Sequence, residues 1–235
     1  MKPKLKICGV ADAAFAAEAV RLGADVIGVI FAPLSPRRVT LETARAVAAA
    51  ARRESAVRIA GVFAGNPVEE MLDMAAKTPL DIVQLHGGYS DEAVAAAKSA
   101  GCETWRLDEK REGGAEDAVI IDGRRDGKNG GTGALADWSR VATLKAQGRK
   151  TVLAGGLCAG NIRDAAATGA DVLDVNSSIE TAPGVKSSAL LARLLDNWPE
   201  EARPSRNRDK APSSRDFDII SPVCTNTRKT AKGRK

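Results

Sequence analysis

The chain has 235 residues, carries 35 Lys and Arg against 30 Asp and Glu, and is 44% hydrophobic. That apolar share excludes a wholly disordered chain, and the length suits one large domain or two small ones. No apolar run approaches the ~20 residues of a membrane helix, residues 1–8 lack the apolar stretch of a secretory signal, and aromatics at 3% are too few for a nucleic-acid stacking surface.

Eight short runs read as strands, in chain order 4–10, 25–32, 57–64, 81–87, 102–108, 118–123, 151–156 and 171–177. They are rich in Val, Ile and Leu, and several are apolar on nearly every residue, as parallel strands buried on both faces require. Between them, residues 11–22, 41–54, 67–77, 91–100, 135–147, 161–168 and 187–198 carry apolar side chains at helical spacing. Ser90 and Asp91 are suited to cap one helix start, and Gly148 and Gly169 follow helix ends.

Strand–helix alternation repeated about eight times predicts an α/β fold, a (βα)8 TIM barrel over residues 1–198. A doubly wound sheet is the competitor, but the first strand runs into Cys8-Gly9-Val10, with no glycine-rich turn. One unit departs from the repeat: the nine residues 109–117 are too few for a crossover helix, so the fifth helix is expected to be short or missing. Residues 199–235 break the pattern and read as a basic, disordered tail. They hold ten Lys and Arg against five Asp and Glu, which leaves 25 of each sign in 1–198. The net +5 therefore belongs to the tail.

The four cysteines, at 8, 102, 158 and 224, form no CxxC pair, and His86 is the only histidine. No metal site is expected, and the cytoplasm is the expected compartment. In a TIM barrel the site lies at the C-terminal ends of the strands, with phosphate held after strands seven and eight. That rule selects Cys8 as a nucleophile, a base or a small buried hydrophobe. It selects Arg37 as an anion clamp or a solvated loop charge. Gln84 and His86 share one face of strand four, where a ligand can partner them, or His86 is a satisfied core histidine. Asp122 ends strand six as an acid or a loop cap. Gly131 and Gly133 lie on a glycine-rich loop, while Gly155, Gly156, Ser177 and Ser178 form the expected phosphate cradle. The composition suits proton transfer on a phosphorylated small molecule.

Taken together, Lys6-Ile7-Cys8-Gly9, Ser35-Pro36-Arg37, Val83-Gln84-Leu85-His86-Gly87, Gly130-Gly131-Thr132-Gly133, Leu153-Ala154-Gly155-Gly156 and the stretch from Asp174 to Glu180 resemble the phosphoribosylanthranilate isomerases in order and spacing. The resemblance implies an Amadori rearrangement in tryptophan biosynthesis. It gives Asp122 as general acid, Cys8 as general base, Arg37 on the anthranilate carboxylate, and Gly155, Gly156, Ser177 and Ser178 on the phosphate. Asp174 joins the substrate-binding set. No cofactor is implied; the implied partner is the phosphorylated substrate, and a monomer and a homodimer both fit. Asn176, Ser178 and Ala134–Ala136 depart from the family pattern and point to altered substrate contacts. A related phosphoribosyl isomerase and a non-catalytic phosphosugar-binding relative remain as alternatives; the histidine-pathway isomerase has Asp where Cys8 stands.

Overall fold

All five residues of β2 (Val26–Ile30) are buried, as a strand covered on both faces demands. The computed structural model describes residues 2–108, 114–123 and 136–199. Within them β2 joins β1 (Lys4–Ile7), β3 (Arg58–Ala64), β4 (Ile82–His86), β5 (Glu103–Leu107), β6 (Ala118–Ile121), β7 (Lys150–Leu153) and β8 (Val172–Val175) in a closed parallel barrel, in chain order. The barrel closes where β1 meets β8, with Lys6 opposite Asp174. Helices α1 (Ala13–Arg21), α2 (Leu41–Glu54), α3 (Val68–Lys77), α4 (Asp91–Ser99), α5 (Ser139–Ala146), α6 (Ile162–Ala167) and α7 (Ser188–Asp196) lie between and after the strands. The TIM barrel expected from the alternation is the fold observed.

Helix starts follow the local chemistry. The side chains of Asp12, Thr40, Ser90 and Ser187 each accept the N–H three residues on, at the starts of α1, α2, α4 and α7. Between β5 and β6 the described residues form no helix, and 109–113 lie outside them.

The barrel interior is filled in two levels. Val26, Ala60, Ile82, Trp105, Ala118, Ile120, Val152 and Val172 form the lower plug, with Trp105 only 1% exposed. Cys8, Ile30, Ala32 and Val62 pack above it. The plug fills one end of the barrel, and the interior opens beyond the C-terminal ends of the strands.

The opposite rim is tied by a repeated device. Asp25, Asp81, Asp117 and Asp171 each precede an even-numbered strand. Each accepts a backbone N–H from the preceding odd-numbered strand: from Leu5 at 2.9 Å, Ile59 at 2.7 Å, Thr104 at 2.8 Å and Thr151 at 2.8 Å. Burial alone would raise the Asp117 and Asp171 carboxyls. The hydrogen bonds from Lys98 and Thr104, and from Lys145 and Thr151, outweigh it and hold both below the usual range. These four carboxylates fix strand register at the end of the barrel far from the open mouth.

Candidate active site

The open end holds a cavity of about 510 Å3. Cys8 follows β1, Arg37 lies on the loop after β2, and Gln84 and His86 end β4. Asp122 follows β6, Gly155 and Gly156 follow β7, and Asp174 and Ser177 belong to β8 and its loop. All line this one space. Ser178 stands behind Ser177 in a single 3-10 turn, Ser177–Ile179, and is not among the lining residues. Gly131 and Gly133 lie outside the described residues.

Cys8 is 5% exposed. Burial pushes its thiol up; Lys6 pulls it down, Asp174 pushes it up and Lys186 pulls it down, and the net direction is upward. Asp122 is held close to the β7 loop: a side chain begun at Gly155 would place its Cβ 2.5 Å from Asp122 Oδ1. Gly155 has φ +81°, a left-handed conformation suited to glycine, and so the backbone passes close behind the carboxylate.

Arg37 does not wave in solvent. Its Nε and Nη2 donate to both oxygens of Glu180 at 2.7–3.0 Å, a forked pair. Glu180 also accepts from Lys186 Nζ at 2.8 Å, and Lys186 donates to the Asn176 carbonyl at 2.9 Å and to Asn176 Oδ1 at 2.8 Å. Burial alone would raise the Glu180 carboxyl, but Arg37 and Lys186 hold it below its ordinary value. Two cations against one anion leave a local surplus of one positive charge at this wall. The barrel is neutral as a whole, so an anionic ligand is met by this local charge.

Among the described residues, three buried polar atoms of the candidate site residues have no hydrogen-bond partner. Gln84 Nε2 donates to His86 Nε2 at 2.7 Å, which leaves Gln84 Oε1 buried and unpaired. Asp174 Oδ1 and Ser178 Oγ are likewise buried and unpaired. Two of these three residues, Gln84 and Asp174, line the cavity.

A match to the family model of N-(5′-phosphoribosyl)anthranilate isomerase spans residues 5–197. The chain belongs to this isomerase family. A curated N-(5′-phosphoribosyl)anthranilate isomerase of Rubrobacter xylanophilus is 35% identical over 203 residues, covering 82% of this chain and 97% of the relative. A crystal structure of phosphoribosyl anthranilate isomerase from Thermus thermophilus superposes with a TM-score of 0.72 at 32% identity, covering 83% of this chain and 97% of that one. Another family structure, solved in complex with reduced 1-(o-carboxyphenylamino)-1-deoxyribulose 5-phosphate, gives a TM-score of 0.69 at 27% identity, covering 83% of this chain and 97% of that one.

Sequence reasoning toward the isomerase family gave no role to Lys6, Glu180 or Lys186. Glu180 and Lys186 sit on a hairpin, β9 (Glu180–Ala182) and β10 (Val185–Lys186), that folds over the site after β8. The turn residues Pro183-Gly184 between them were the available signal. For Lys6 the signal was parity: it lies two residues before Cys8 in a buried strand, hence on the same face.

Proposed function

We propose that the chain isomerises N-(5′-phosphoribosyl)anthranilate to 1-(2-carboxyphenylamino)-1-deoxyribulose 5-phosphate, in tryptophan biosynthesis, with Cys8 and Asp122 as the acid–base pair. The observation that carries the assignment is the placement of a thiol, a carboxylate and a pinned guanidinium around one cavity at the strand ends.

In this reading Asp122 gives its proton to the furanose ring oxygen as the C1′–O bond breaks, and the nitrogen lone pair forms the C1′=N bond of a protonated Schiff base. Cys8, as thiolate, then takes the C2′ proton. The C2′–H electrons form the C1′=C2′ bond, the C1′=N pair returns to nitrogen, and the resulting enolamine tautomerises to the ketone. The Schiff-base cation beside the sulfur favours the thiolate at the moment it is needed, against the upward push of burial. Arg37 takes the anthranilate carboxylate on the guanidinium edge that Glu180 leaves open, and the loops after β7 and β8 take the phosphate. Gln84, His86 and Asp174 offer partners to the sugar hydroxyls.

Growth of a tryptophan auxotroph lacking this isomerase, restored by the full chain, is the expected result. No growth despite soluble, folded protein would refute the assignment.

A further inference from the structure

Lys6 is a lysine with no exposed surface, an expensive burial unless its charge is used. Its Nζ donates to Asp174 Oδ2 at 2.6 Å, and it shares the space in front of Gly28 with the Cys8 sulfur. Gly28, across on β2, makes room for this meeting: a Cβ there would lie 3.2 Å from both Cys8 Sγ and Lys6 Nζ. Burial pulls the Lys6 ammonium down, but Asp174 and Cys8 outweigh it, so Lys6 stays charged. The other charged groups that face Cys8 are Asp174 from β8, Lys186 from β10 and Arg37 from the loop after β2.

We propose that Lys6 is a positioning residue for proton abstraction: its buried ammonium, anchored by Asp174, is the fixed cation against which the Cys8 sulfur becomes an anion. The proposal rests on the base role of Cys8 given above. Asp174 serves two ends in it. One oxygen holds Lys6, and the residue also lines the cavity, so it joins the buried ammonium to the site.

The test is the pH dependence of Cys8 alkylation by iodoacetamide in the full chain without substrate, read at Cys8 by peptide mass spectrometry. In Lys6→Met the alkylation curve is expected to move up by at least about one pH unit, the scale of an opposite charge within about 4–6 Å. The Lys6→Met/Asp174→Asn double variant leaves no unpaired buried charge, so it keeps the test open if the single variant misfolds. Its curve is expected to move upward also, because Lys6 acts on the sulfur more strongly than Asp174 does. Lys6→Arg, which retains the cation, should return the curve toward wild type, an outcome that a purely packing role does not give. An unmoved curve in the folded double variant overturns the proposal and leaves the base role intact. Unchanged turnover in Cys8→Ala overturns the base role, and the proposal with it.

Discussion

Gly155→Ala tests the close seat of Asp122, and Gly169→Ala is its control. Both glycines have nearly the same left-handed φ, +81° and +82°. A Cβ at Gly169 meets nothing within 4 Å, whereas one at Gly155 collides first with the Gly123 backbone nitrogen, and falls 2.5 Å from Asp122 Oδ1 and 2.9 Å from Gly123 Cα. The backbone cost is therefore shared, about 1–2 kcal/mol, or a Tm loss of roughly 2–8 °C in a domain of this size. The steric cost is confined to Gly155. Ordinary contact begins near 3.4 Å, so the Gly123 backbone must shift and the adjoining Asp122 carboxylate must retreat with it by about 1 Å. A displacement of that size in a proton donor costs on the order of 100-fold in turnover. Calorimetry and steady-state turnover, with product followed by chromatography, separate the two. Gly169→Ala should melt lower with wild-type turnover; Gly155→Ala should lose both. Turnover in Gly155→Ala within about threefold of the control would refute the placement of the acid.

Arg37→Ala and Glu180→Ala should both raise KM at least about tenfold with smaller changes in kcat, since the fork between them orients the clamp; an unchanged KM in Glu180→Ala would show that Arg37 needs no anchor. Activity needs one proton shared between Asp122 and Cys8, so the alkaline limb of kcat/KM is where the thiol proton leaves. Burial pushes that thiol up, so the limb is expected on the alkaline side of an ordinary thiol; a decline on its acid side would contradict it. Asp171→Ala removes hydrogen bonds to Thr151 and Lys145 at the far rim. It should cost about 2–3 kcal/mol with kcat unchanged. Because the folded Asp171 carboxyl is held low, its contribution is present above about pH 4 and is lost as the pH falls through the folded value. Wild type should therefore lose its advantage over this variant in acid. Removing 203–235, beyond the family match, should leave kcat/KM within twofold, as measured on the purified truncated chain.

Much of the barrel was legible because its strands are buried on both faces and so read as unbroken apolar runs: Val26–Ile30 is the plainest case. The helices were legible for the complementary reason, one apolar stripe each. The candidate site was legible as far as strand ends go, since Cys8 and Asp122 follow directly on β1 and β6, and Gly155 comes one residue later after β7. What stayed hidden was contact between distant parts of the chain. The hairpin strands 180–182 and 185–186 are too short for any periodicity to register, and nothing local ties Glu180 to Arg37, 143 residues away. Lys6 was hidden differently: in a strand beginning Lys4-Leu5-Lys6 it resembles one of two solvent-facing lysines, and only closure of β1 against β8 brings Asp174 to it.

The most direct measurement is turnover of N-(5′-phosphoribosyl)anthranilate by the purified full chain beside Cys8→Ala and Asp122→Asn. If the thiol and the carboxylate divide the proton transfers, wild type converts the substrate and each variant loses at least about 100-fold in kcat while remaining folded. Near-wild-type turnover in either folded variant would contradict that division.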